Sequence, residues 1–199
     1  VLKEDEYEII SLLTTINSKD KLSSMHAIPL ALLEKQANSL GIPLYIVNLE
    51  PKGNMQDYEN SMRKSVEHFK SIGVTHFIFG DIFLENVRTY REKQLAPYNI
   101  EVVEPLWGKT TLQIINEFLE SKLQTIIVTT MANVLDEKFI GRKIDKELVK
   151  QLPEPCDICG ENGEYHTFCF DGDIFKYPVH FDLGDPILKT FSIKMETGE

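Results

Sequence analysis

Apolar residues recur along this chain with two different periods. Leu30, Leu33, Ala37 and Leu40 fall on one face of a helix over Leu30–Leu40. Gly41-Ile42-Pro43 stops that helix. Tyr58, Met62, Val66 and Phe69 repeat the pattern over residues 55–72, and Gly73 ends it. Short apolar, β-rich runs at residues 9–15, Leu44–Leu49 and residues 76–79 read as buried strands. Strand and helix alternate, which predicts an α/β unit on an open, mainly parallel sheet.

The character changes near residue 100. Glu101–Val103 reads as a short strand, followed by Pro105-Leu106-Trp107-Gly108. Residues 110–121 predict a helix with Leu112, Ile115, Phe118 and Leu119 inward, and residues 125–130 a buried strand. Beyond Val149 short β segments are separated by Asp, Gly and Pro. Residues 1–100 are therefore expected to form an α/β domain, and residues 101–199 a smaller α+β domain.

Polar chemistry concentrates at two kinds of place. Residues 159–168 crowd Glu161, Asn162, Glu164, Tyr165, His166 and Thr167 around Gly160 and Gly163. A plain hairpin turn needs only the Asn-Gly pair. The glycines let the backbone approach a ligand closely, and the side chains around them can grip it. A tight turn with solvated glutamates is the competing reading. From residue 164 the chain alternates, with His166, Phe168 and Phe170 on one face and Tyr165, Thr167 and Cys169 on the other.

The second place is the carboxyl ends of the predicted strands, where open α/β sheets bind ligands. Thr14 and Thr15, the stretch 23–26 with Met25 and His26, and Gly80-Asp81 all fall there. They predict a nucleotide crevice. Glu85, Arg88 and Glu92 share a helix face that is either a solvated ion-pair ladder or a wall of the cleft. Arg142 can clamp an anion or pair with Asp145. Trp107 reads as a core anchor.

Bulk properties narrow the function. The 199 residues carry a net charge of -10, which argues against a general nucleic-acid or membrane-surface binder. No apolar run approaches membrane-spanning length. Three cysteines without a secretory signal suggest a reducing, cytoplasmic setting. Cys156, Cys159, His166 and Cys169 nominally offer a zinc site. Strand alternation turns His166 and Cys169 apart, so no metal is expected there.

Gly160-Glu161-Asn162-Gly163-Glu164-Tyr165-His166-Thr167 resembles the signature of the diphthine–ammonia ligase family of ATP-binding proteins. Ser24-Met25-His26-Ala27-Ile28-Pro29-Leu30, Gly80-Asp81-Ile82-Phe83-Leu84-Glu85, Arg88-Thr89-Tyr90-Arg91-Glu92, Pro105-Leu106-Trp107-Gly108 and Gly141-Arg142-Lys143-Ile144-Asp145 match it in the same order. The resemblance implies a sheet of the adenine nucleotide alpha-hydrolase-like (HUP/PP-loop) type. It implies ATP with Mg, a carboxylate adenylated with loss of pyrophosphate, and ammonia captured as an amide with AMP released. The acceptor is then protein-borne diphthine or a small metabolite acid, with cobalamin-related acids a candidate. On this resemblance Glu161, Asn162, Glu164 and His166 are catalytic. Thr14, Thr15, Met25, His26, Gly80 and Asp81 hold the nucleotide. Glu85, Arg88, Arg91, Arg142, Gly160, Gly163, Tyr165 and Thr167 hold the substrate. Relatives carry a Ser-Gly-Gly-Lys-Asp-Ser type phosphate loop, which is expected upstream of Val1. A regulatory nucleotide-binding module is the alternative, and a homodimer is kept open.

Overall fold

The computed structural model describes residues 2, 4, 6–51 and 53–189. Residues 2–7, whose sequence reads as the tail of a helix or a link into the first strand, fall partly outside them. The chain enters β1 (Leu12–Asn17), crosses through α1 (Leu30–Leu40) and returns as β2 (Leu44–Leu49), parallel to β1 with Leu12 opposite Leu44. The strand begins three residues later than the sequence suggests. Leu12 N–H, which donates to Pro43 O at 2.8 Å, is where pairing with the second strand becomes available. Gly41 closes α1 in the left-handed region at φ 76°, and its N–H returns to Ala37 O at 2.9 Å.

Helix α2 (Met55–Ser71) starts from a reciprocal cap. Asp57 N–H donates to Asn54 Oδ1 at 3.0 Å, and Asn54 N–H to Asp57 Oδ2 at 2.9 Å. Its stripe buries Val66 and Phe69. Strand β3 (His76–Ile78), helix α3 (Glu85–Leu95) and strand β4 (Glu101–Val103) follow, with β3 and β4 parallel. Val66, Leu95 and Ile100 form their core with Phe77, Phe79, Tyr98 and Val102.

Helix α4 (Thr111–Glu120) has a Thr110/Gln113 capping box. It leads to β5 (Gln124–Thr130), then α5 (Lys146–Gln151) and β6 (Tyr165–Asp171). β5 and β6 pair antiparallel, with a register shift between Ile127 and Thr129. Each face of this pair carries a core. One holds Ile127, Leu135, Phe139, Leu148, Cys156 and Tyr165. The other holds Ile126, Phe168 and Val179 together with Ile28, Leu32 and Leu33 from the first third of the chain. Buried Ser39 adds a second tie, donating to Tyr177 O and accepting from Tyr177 N at 3.1 Å.

The fold is mixed α/β. Where the sequence suggests one open sheet, hydrogen bonding among the described residues makes three two-stranded ladders, two parallel and one antiparallel. β3 and β4 are only three residues long, and β5 takes its ladder from a strand running back toward it. Leu112, expected inward, is 61% exposed. It lies in the first turn after the Thr110 cap, and the buried position of this helix is Ile115.

Candidate functional site

The turn at residues 157–164 is organised around one carboxylate. Buried Glu164 accepts from Asp157 N at 2.9 Å, from Asn162 N at 3.0 Å and from Asn162 Nδ2 at 3.0 Å. Burial pushes its carboxyl up, but these donors outweigh it and hold the group below the usual carboxylate range. Asp157 Oδ1 accepts from Cys159 N at 2.9 Å and from Glu161 N at 3.3 Å, which closes the other half of the turn. Tyr165 donates its hydroxyl to Ile158 O at 2.7 Å, and burial raises that phenol above its ordinary value. Gly160, at φ 72°, has no room for a Cβ, which would lie 3.0 Å from Tyr165 O.

Glu161 points away from this network. Ile82 N–H donates to its Oε1 at 2.7 Å, and Phe83 N–H also bonds the carboxylate. Burial raises its carboxyl, those two amides lower it, and Asp81 and Asp157 raise it further; the net direction is upward. The two glutamates of the turn are therefore driven in opposite directions by their surroundings.

The Ile82 contact joins the turn to a charged cluster on α3. Arg91 forks onto Asp81, with Nε 2.9 Å from Oδ2 and Nη2 donating to Oδ1 at 3.1 Å. Its guanidinium lies 3.8 Å from the Phe79 ring centroid. Arg88 Nε donates to Glu92 Oε1 at 2.9 Å, and its guanidinium sits 4.6 Å from the Trp107 ring centroid. Trp107, expected as a core anchor, is instead a half-buried platform for an arginine.

A third group of expected residues gathers at the β5–β6 edge. The His26 and His166 rings stand 4.6 Å apart. His26 O accepts from Thr129 Oγ1 at 3.0 Å. One face of the otherwise exposed His26 ring is covered, and this burial holds its imidazole below the ordinary value. Burial does the same to His166, with His26 adding to it. Met25 at φ 65° and Ala27 at φ 54° bend the loop sharply, and Met25 is left 75% exposed.

The remaining expected residues are dispersed. Thr14 and Thr15 lie on β1 opposite Ile46 and Val47, and Thr15 O accepts from Ser24 N at 3.0 Å. Gly80 faces open space. Glu85 begins α3 and is exposed. Thr167 pairs with Ile127 inside the ladder, and Gly163 bends the turn at φ 85°. Of the two readings of Arg142, the ion pair with Asp145 does not form. Asp145 caps α5 by accepting from Leu148 N at 2.7 Å, and Arg142 Nη1 donates to Gln151 Oε1 at 2.6 Å. Among the described residues no three His, Cys, Asp or Glu side chains come together as metal ligands. Cys159 donates to Thr111 O at 3.3 Å, and burial pushes its thiol up to about 12 and that of Cys156 to about 11.

Asp157, Phe79 and Glu104 belong to this site and escaped the sequence reading. Asp157 stands two residues before Cys159, the spacing of a side chain that caps its own turn. Glu104 precedes Pro105-Leu106-Trp107 and carries no other mark in the sequence.

Fold and site together define a mixed α/β protein in which a glycine-bent acidic turn is hydrogen-bonded to an arginine–carboxylate cluster. Residues 1–95 match the diphthamide synthase N-terminal domain, and residues 110–190 the diphthamide synthase C-terminal domain. A diphthine–ammonia ligase of Danio rerio is 26% identical over 167 residues, covering 76% of this chain and 66% of that protein. That of Bos taurus is 29% identical over 115 residues, covering 54% and 42%. That of Homo sapiens is 28% identical over 116 residues, covering 55% and 43%. The matched part is less than two thirds of the length of each of these relatives. The chain belongs to the diphthine–ammonia ligase family.

Proposed function

We propose that the chain forms the adenine- and acceptor-binding part of an ATP-dependent ligase that joins ammonia to a carboxylate. The observation that carries this reading is the Glu161 carboxylate bonded by the Ile82 and Phe83 amides beside Asp81. It sets a carboxylate with a raised proton affinity beside Asp81, the residue that Arg91 holds.

ATP, used with Mg, activates the acceptor carboxylate and leaves as AMP and pyrophosphate. The residues present fit the adenine end of that molecule. Exposed Met25 and the His26 carbonyl edge lie on the loop after β1, Gly80 and Asp81 follow β3, and Thr14 and Thr15 lie within β1. That arrangement supports a sheet of the HUP/PP-loop type, with residues 1–100 serving the nucleotide and residues 101–199 the acceptor.

Glu161 takes the proton that the attacking nitrogen loses as the C–N bond forms. Glu164 is a positioning residue, because its lone pairs are spent on the amides that shape the turn. Asn162, exposed at the tip, and the backbone of Gly160 and Gly163 line the reacting carbon. His166 stays neutral at pH 7 and serves as a further proton acceptor. Arg88, held at its Nε, offers its Nη edge to the acceptor carboxylate or to a phosphate, and Arg91, forked onto Asp81 through Nε and Nη2, has Nη1 left for the same partner. Tyr165 braces the turn through its bond to Ile158 O, while Glu85, Thr167 and Arg142 stand apart from this cluster. The acceptor is a carboxylic acid, as diphthine is for the relatives.

Calorimetric titration of Mg-ATP and AMP, with amide formation followed by ¹⁵N-ammonium incorporation, tests the reading. Binding of AMP with AMP release in turnover is the expected result. Absence of nucleotide binding would remove it.

A further inference from the structure

Glu104 carries a carboxylate buried without a hydrogen-bond donor among the described residues. Its side chain is 3% exposed, and neither carboxyl oxygen has a hydrogen-bond donor among the described residues. The nearest cation is Arg88, whose Nε lies 3.5 Å from Glu104 Oε2. An ionised carboxylate buried in this way costs free energy unless something nearby repays it.

The surroundings show what it is placed to do. Arg88 is gripped on one edge, with Nε between Glu92 Oε1 and Glu104 Oε2. Trp107 supports the guanidinium plane at 4.6 Å, and Trp107 N–H donates to Glu104 O at 3.1 Å, so one backbone turn carries both supports. No hydrogen bond to either Nη of Arg88 forms among the described residues. A guanidinium fixed by Nε and stacked on a ring keeps a two-donor edge that matches a carboxylate or phosphate oxyanion.

We propose that Glu104 is a positioning residue for this oxyanion-receiving edge of Arg88, and that anion binding there is coupled to proton uptake by Glu104. The proposal rests on the reading of Arg88 as an acceptor or phosphate contact. The groups facing Glu104 are Asp81 after β3 and Arg88, Arg91 and Glu92 on α3. Burial and Asp81 push its carboxyl up, the two arginines oppose them, and the net direction is upward. An anion on Arg88 cancels part of the attraction that keeps Glu104 ionised. The carboxylate then takes a proton, and by linkage a proton on Glu104 tightens anion binding. Affinity is therefore full below the Glu104 pKa and weakens as the pH rises through it.

Sulfate is the probe, because it does not titrate in the range used. Its affinity is measured calorimetrically at about pH 5.5 and about pH 8 on the wild type, Glu104→Gln, Glu104→Asp and Arg88→Gln, with folding checked by circular dichroism. Wild type should bind more tightly at the lower pH, by at least about fivefold beyond the change seen in Glu104→Gln. Glu104→Gln should bind at both pH values with the low-pH affinity, because Gln supports Arg88 without a charge. Glu104→Asp should restore a pH dependence. Arg88→Gln should lose binding at both. An identical pH profile in wild type and Glu104→Gln overturns the coupling while leaving Arg88 as an anion contact. Undiminished binding by Arg88→Gln, or no sulfate binding by the wild type, overturns both this proposal and the anion contact. If Glu104→Gln is unfolded, Glu104→Asp with wild-type affinity and no pH dependence overturns it equally.

Discussion

His26 and His166, 140 positions apart in sequence, meet as tilted rings with centroids 4.6 Å apart where the loop after β1 meets the β5–β6 edge. Both imidazoles are held below their ordinary value, His26 by burial and His166 by burial and by its neighbour. A histidine with a lowered folded pKa binds protons more readily when unfolded. Stability is then full above about 6.5 and falls as the pH drops toward the lowered values. Melting temperatures from about pH 8 to about pH 5.5 should decline, and His166→Gln should flatten that decline. An unchanged slope in the variant would assign it to other groups.

Glu164→Gln should destabilise the protein by about 2–3 kcal/mol, since it puts an NH2 donor against donors that now meet a buried carboxylate. The carboxyl is depressed in the folded state, so its contribution is present above the ordinary carboxylate value and is lost as the pH falls through the lowered one. Urea midpoints at neutral and acid pH check this. The gap between variant and wild type should close in acid, and a constant gap would contradict it.

Glu161→Gln separates chemistry from binding. Amide formation should drop by about 10²–10⁴-fold. AMP affinity, measured calorimetrically, should stay unchanged. A loss of AMP affinity matching the loss of turnover would recast Glu161 as a strut for the Ile82–Phe83 segment.

Two glycines of one turn should respond differently to the same substitution. Gly163→Ala meets only Met131 Cε at 4.0 Å and carries the left-handed backbone penalty of about 1–2 kcal/mol. Gly160→Ala carries that penalty and also drives a methyl to 3.0 Å from Tyr165 O, adding at least about 1 kcal/mol. Equal unfolding free energies for the two variants would show that the backbone yields at Gly160.

Local structure was written plainly in the chain. Leu44–Leu49 and Glu101–Val103 have the bounds their apolar runs suggest, and α1 stops at the glycine that adopts φ 76°. These features depend on neighbours within a few residues. The three separate ladders do not, because pairing of β5 with β6 is a choice between distant strands. The polar density of residues 159–168 was visible in the same local way. Which carboxylate it spends on its own amides, and which it sends to Ile82, is decided by a contact spanning 79 positions. Glu104 was missed for the same reason, since nothing beside it in sequence announces burial. Leu112 shows the limit of periodicity, which assigns a face without saying where a helix enters the core.

Ile28, Leu32 and Leu33 pack against β5 and β6, and Gln36 bonds Cys169 O across 133 positions. A ribosome releases the early residues first. At about 5–20 residues per second, roughly 7–27 s pass between the emergence of Gln36 and that of Cys169. Throughout that interval the apolar side of α1 has no native cover. A chain halted near residue 100 would therefore leave that side bare, an unfinished surface and not a finished half.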